Sequence, residues 1–379
     1  MLYYLQHFFN PDSVSLETLT DNAASGETLD LYNLGYVQNV IKGQLLAQII
    51  PMEVLEEGIE RRFVLNTLEF PAGQNTFVHP DYPQYLLAAA NGYVFYQHGR
   101  ITVRQVLAVQ EDISFRTGNI NFVGDMTIQG AVRSGFSVLG NNVRIKGMIE
   151  GGIARSCHDM IIDGGARGTA SGHSLIDSGG KLLVNFLEQV EARARGNIVI
   201  NKYCLYCTVY AGNNLLVKEQ LYGGNINVFS NIYIGKQLGN KAGIATNIYL
   251  GFDPLNMRRL QKLQSFLSSL TSSISHLRGI IGHLPSNANE QTLKLQRLIK
   301  QKETITATIK KIAKKLHTDE TLVNKCRLIV AGLVYPGVEI SIGNCYFAVE
   351  KIYENVVFRV ENDDLIIEPI TNAQAKALS

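Results

Sequence analysis

The residues of this chain best equipped for chemistry are Cys204 and Cys207, and a set made of His158, Asp159, Asp163, His173, Ser174 and Asp177. The thiols could hold a metal ion; the second set supplies a nucleophile, a base and metal ligands. Tetrahedral zinc takes four ligands, and Cys204-Leu205-Tyr206-Cys207 stands without a second pair or a His beside it. The pair therefore reads as buried or half-buried thiols on a β-turn. The second set falls at turn and loop positions, where Asp, Ser and His are common, and matches no triad or metal spacing. Structural roles are expected for these residues. The chain has no Gly-x-x-x-x-Gly-Lys-Ser/Thr loop and no Rossmann fingerprint. No catalytic, cofactor-binding or metal site is assigned.

The elements that hold these residues repeat. One Asn or Asp, an apolar residue, any residue and a second apolar residue recur eight times, beginning at Asp125, Asn142, Asp159, Lys181, Asn197, Asn214, Asn231 and Asn247, with Lys181 the exception at the first position. The first apolar positions lie 17, 17, 22, 16, 17, 17 and 16 residues apart, the period of a stacked coil. Positions i and i+2 of a strand share a face, so each repeat offers two inward residues. Stacked at roughly 4.8 Å per turn, they form two inner ladders along a rod of roughly 35–40 Å. No single turn buries its own apolar face, so neighbouring turns stabilise one another. The Asn/Asp column is expected to mark a bend, because those side chains tolerate left-handed backbone and bond nearby amides. The 22-residue interval predicts a loop within Gly164 to Gly180 that protrudes from the rod.

Between the two ladders each repeat has one outward residue: Thr127, Arg144, Ile161, Leu183, Val199, Leu216, Tyr233 and Tyr249. The first two are polar and the last six apolar, although a face turned to water should be mixed or charged. Ile161, Leu183, Val199, Leu216, Tyr233 and Tyr249 are therefore candidate contacts for the N-terminal region, a second copy or a partner protein.

After Asp253-Pro254 the period changes from two to seven. Leu260, Leu263, Leu267, Leu270, Ile274, Leu277, Ile281 and Leu284 alternate spacings of three and four, the seam of a coiled coil. Pro285 to Asn289 breaks the helix. A second seam runs through Leu295, Leu298, Lys302, Ile305, Ile309, Ile312 and Leu316, which predicts an antiparallel hairpin roughly 40 Å long. Residues 255–316 hold twelve Lys and Arg against two Asp and Glu, a formal +10 in a chain of +2. Lys310, Lys311, Lys314 and Lys315 crowd the last turns, where a helix C-terminus favours cations. They are candidate contacts for an acidic partner, an anionic membrane surface or another copy. Nucleic acid is disfavoured, because no aromatic residue interrupts the basic helix to stack on bases.

With 379 residues, 46% hydrophobic and 18% charged, the chain fills a sizeable core. Five cysteines in no disulfide pattern suit a reducing compartment. The apolar start Met1 to Phe9 lacks a basic leader, and no run reaches about 18 apolar residues, so a cytoplasmic protein is expected. The organisation read from these patterns is a β-rich region over 1–105, a parallel β-helix over 106–254, the hairpin over 255–325 and closing strands over 326–379.

The order of these parts resembles the flagellar assembly protein A (FapA) family of bacteria. Lys42 to Ala47, Ala90 to Val94, Thr117 to Phe122 with Gly124, Gly223-Gly224, Ile234-Gly235, Gly251-Phe252-Asp253-Pro254 and Tyr335 to Ile340 carry the resemblance. It implies a mainly β protein, a right-handed parallel β-helix with an inserted coiled-coil hairpin and a small N-terminal β domain. It further implies a scaffold without cofactor, in flagellar assembly or polar placement, that meets itself as dimer or polymer and meets other proteins. A carbohydrate-active or carbohydrate-binding β-helix protein using Tyr233 and Tyr249 is the alternative.

Overall fold

All sixteen inward residues of the repeats are no more than 2% exposed, which places them in a core. Each side chain so buried contributes about 1.5–3 kcal/mol relative to exposure. The computed structural model describes residues 2–12, 32, 34–52, 59–169, 174–282, 289–316 and 323–370. They form two compact units, Met1–Glu191 and Ala192–Ser379.

In the first unit the repeats stack as parallel strands. Val106–Val109 pairs with Asp125–Ile128, which pairs with Val143–Ile145, then Met160–Ile162, then Leu182–Val184. This face is one of three. A second column of short strands and bridges runs through Ile113, Val132, Ile149, Ala166 and Leu187, all fully buried. A third runs through Ile120–Asn121, Ser137–Gly140, Ile153–Ser156 and Ser174–Ser178. The two expected ladders are thus one side of a three-sided coil.

The extra residues of the long interval fall within Gly164 to Gly180, as expected, but most of that stretch is not loop. Ala166–Arg167 and Ser174–Ser178 are both coil wall, paired with Ile149–Glu150 and Ile153–Ser156. The extra residues lie between Arg167 and Ser174 in sequence, and 170–173 fall outside the described residues.

Two antiparallel sheets precede the coils. Five strands order as Val64–Leu65, Leu2–His7, Leu45–Met52, Tyr85–Ala88 and Thr76–Val78, and three as Asn39–Val40, Gly92–Gln97 and Arg100–Arg104. Leu5, Leu46, Ile49, Leu86 and Ile101 form their shared core. The Asn39 side chain ties them to the first coils: its amide donates to the Asn121 carbonyl at 2.7 Å, and its Oδ1 accepts the Val123 N–H at 3.1 Å.

The second unit has the same three columns. Ile198–Ile200, Leu215–Val217 and Ile232–Ile234 stack in parallel, and the layer after Ile232–Ile234 is Leu328-Ile329-Val330, from beyond the helices. Cys204, Leu221, Leu238 and Val334 line the second column, and Val209, Ile226, Ile248 and Ile340 the third. The eighth repeat, Asn247 to Leu250, therefore stacks on Asn225 to Val228 and not on Asn231 to Ile234. Parallel stacking ends where Arg327–Val334 meets Tyr353–Glu361 antiparallel, with Asp364–Pro369 beyond it. Cys345–Ala348 closes Val338–Ile342 in the same way. These hairpin strands put Phe358, fully buried, over apolar residues that another coil would otherwise cover.

Two helices, Pro254–Gly282 and Asn289–Leu316, are inserted before Arg327. Asp253 caps the first, accepting the N–H groups of Leu255 and Asn256. Leu270, Ile274 and Ile305 are the buried centre of their contact, with Leu263, Leu267, Leu295, Leu298 and Ile309 packed around it. His276 and Ile280 share a groove with Lys294 and Leu298, whereas Thr271 and Ile274 share one with Lys302, Thr306 and Lys310. The helices therefore run in opposite directions. The break expected at Pro285 to Asn289, and Leu284 before it, fall wholly or in their side chains outside the described residues.

Candidate interaction surfaces

The outward residues of the first column are positioned by the Asn and Asp beside them. The N–H of Asn142 donates to Asp125 Oδ1 at 3.1 Å, that of Asp159 to Asn142 Oδ1 at 3.2 Å, and that of Lys181 to Asp159 Oδ1 at 2.7 Å. In the second unit Asn214 donates to Asn197, Asn231 to Asn214, and Arg327 to Asn231, at 3.1, 3.2 and 2.9 Å. These Asn and Asp residues stand at or directly after the bends between strands, as expected, but none has positive φ, so the backbone there is not left-handed. They act as a ladder of acceptors that holds each coil in register with the next. Lys181 donates its N–H to this ladder, but its side chain offers no acceptor to the next coil.

Held this way, Arg144, Ile161 and Leu183 lie in one outward row of the first unit. Arg144 is paired with Asp163 at 3.0 Å, Ile161 is half-buried, and Leu183 is 36% exposed. In the second unit the row is Val199, Leu216, Tyr233 and Ile329, each half-buried. Burial pushes the Tyr233 phenol up from its ordinary value.

Tyr249 leaves this row. It lies in register with Asn227 and Ser341, in the third column. There the first helix packs against Tyr203–Ala211 and Gln220–Val228, and the Tyr210 hydroxyl meets Gln261 Oε1 at 2.9 Å. Tyr233 and Tyr249 are thus on different sides of the coil and make no shared aromatic platform.

Lys310, Lys311 and Lys314 are exposed on the second helix, and the Lys315 side chain lies outside the described residues. Lys302, the polar member of the seam, is half-buried in the groove with Arg278 and Lys310.

The residues with chemical potential are scattered among structural tasks. The Ser174 hydroxyl is fully buried, donates to the Arg167 carbonyl at 2.6 Å and accepts the Gly151 N–H at 2.9 Å. Asp163 holds Arg144, Asp159 belongs to the ladder, His158 is exposed, and Asp177 stands in register with Arg155. His173 lies outside the described residues. Cys204 occupies a core position that Leu221 and Leu238 fill in the next layers, on a strand and not on a turn. A hydrogen bond with Cys207 and burial both push its thiol up. Cys207 is also buried. Among the described residues no cluster of His, Cys, Asp or Glu could hold a metal ion.

Ile329 escapes a reading of the repeats because Arg327, not Asn, precedes its apolar pair and 57 helical residues intervene. Its only signal is the alternation in Leu328-Ile329-Val330.

Comparison with known families finds one match: a family model described as the Flagellar Assembly Protein A beta solenoid domain covers residues 105–365, more than two thirds of the chain. No curated protein and no solved structure matches.

Proposed function

Because this chain belongs to the flagellar assembly protein A (FapA) family, we propose that it is a non-enzymatic scaffold that acts through self-association and partner binding in flagellar assembly or polar placement. Its finer architecture is a right-handed β-helix with a coiled-coil hairpin inserted and a β domain over 1–105. The scaffold works in the cytoplasm at a cell pole. Among the described residues no helix is long and apolar enough to cross a membrane.

The observation that carries this reading is the outward row Val199, Leu216, Tyr233 and Ile329, with Leu183 in the first unit. Coil-to-coil pairing already satisfies the backbone here, so the apolar side chains serve no pairing need. An outward apolar row in water favours a covering surface. The occupied state of Ser174, Asp159 and Asp163 supports a role without catalysis.

Deletion of the gene in a flagellated bacterium that carries it should reduce swimming or misplace flagella. Complementation with the Leu183→Glu/Leu216→Glu variant should restore neither function, and the pure variant should sediment as a smaller species than the parent. Normal swimming of the deletion strain, or unchanged sedimentation with full complementation, would overturn the reading.

A further inference from the structure

The coils pair several of their cations with acids, although Lys146, Lys202, Lys218 and Lys241 there make no ion pair among the described residues. On the coils and closing strands Arg133 pairs with Asp112 and Glu150, Arg144 with Asp163, Arg167 with Glu188, Lys236 with Glu219, and Arg359 with Glu361 and Glu368. On the helices Arg259, Lys262, Arg278, Arg297, Lys300, Lys310, Lys311 and Lys314 make no ion pair among the described residues. An acid four residues away would relieve such crowding, yet 255–316 contains only Glu290 and Glu303.

The second helix arranges part of this charge as a stripe. Leu293, Arg297, Lys300, Thr304, Ala307, Lys311 and Lys314 alternate spacings of four and three, are all exposed, and include no acid. They lie away from Leu295, Leu298, Ile305 and Ile309, which face the first helix. At 1.5 Å per residue the stripe is a straight row of about 30 Å. We propose that it docks on the surface of an anionic lipid bilayer, with Leu293 entering the headgroup region.

Three features favour lipid over other polyanions. A straight row suits a plane of negative charge better than a compact ligand, and its attraction adds over each cation near the surface. The stripe has no aromatic residue to stack on bases, as single-stranded nucleic acid would require. Leu293, 54% exposed, is the kind of apolar side chain that an interfacial helix buries. Association would be peripheral and reversible by salt. This inference does not rest on the scaffold role, and its test is independent of motility.

The test is flotation of the full chain with vesicles of phosphatidylcholine alone and of phosphatidylcholine with phosphatidylglycerol. Binding is expected only to the anionic vesicles, with release at high salt. Lys300→Gln/Lys311→Gln/Lys314→Gln should weaken it on the order of a hundredfold, with helix content by circular dichroism unchanged. Arg133→Gln, which removes a paired cation, serves as the control that retains binding. Absence of binding to anionic vesicles, or equal binding by the triple variant, would overturn the proposal. So would tighter binding to a DNA duplex than to vesicles, or a smaller sedimenting species on triple substitution, which would assign the stripe to nucleic acid or to a second copy.

Discussion

The side-chain carbonyl of Asn231 accepts the backbone N–H of Arg327 at 2.9 Å, so the layer before the helices is joined to the layer after them by the same contact that joins consecutive coils. Tyr233 and Ile329 are brought into register by it. The helices are thus an insertion between two consecutive coils, and the strand that follows them resumes the first column.

Removal of this contact should be felt as lost stability. Asn231→Ala takes the acceptor from the Arg327 N–H and a donor from Asn214. A loss of about 1–3 kcal/mol is expected in urea unfolding followed by circular dichroism.

Two glycines should respond to alanine in opposite directions. At Gly235 a Cβ would sit 2.0 Å from the Lys218 carbonyl oxygen of the preceding coil, and backbone cannot yield, so Gly235→Ala should cost on the order of 3 kcal/mol. Gly279 lies in the first helix with nothing within 4 Å of a Cβ, so Gly279→Ala should gain about 0.5–1 kcal/mol. Paired unfolding curves of the two variants check both signs.

His7 links stability to pH. Burial among Phe9, Phe63 and Tyr96, with the Arg62 guanidinium nearby, lowers its pKa from 6.5 to about 4. Between these values the unfolded chain takes up a proton that the folded chain refuses. His7 therefore costs no stability above pH 6.5 and an increasing amount as pH falls toward about 4. His7→Phe should flatten the fall in melting temperature across that window and leave the slope above pH 7 unchanged.

The first column was legible because its three-residue strands alternate cleanly and carry Asn or Asp beside them. The second column was not: strands such as Ile149–Glu150 and Leu187–Glu188 are two residues long, too short to display a period. Tyr249 was misplaced because Asn247-Ile248-Tyr249-Leu250 has the same form as the first-column repeats and follows the last of them by a familiar interval, although its true neighbour below is Asn225-Ile226-Asn227-Val228. The helix seams were read from their spacing, and Leu270, Ile274 and Ile305 are indeed buried. The stripe on the second helix was only partly visible, since Lys310 to Lys315 stand out as a cluster whereas Arg297 and Lys300 join Lys311 and Lys314 only when the exposed face is followed.

Cysteine cross-linking decides whether the solenoid resumes after the helices. In a Cys157→Ser background, Tyr233→Cys/Ile329→Cys should form an intramolecular disulfide under mild oxidation, because stacked coils lie about 4.8 Å apart. Tyr233→Cys/Tyr249→Cys should not. Peptide mapping that finds the first link without the second agrees with this account; a 233–249 link, with none between 233 and 329, contradicts it.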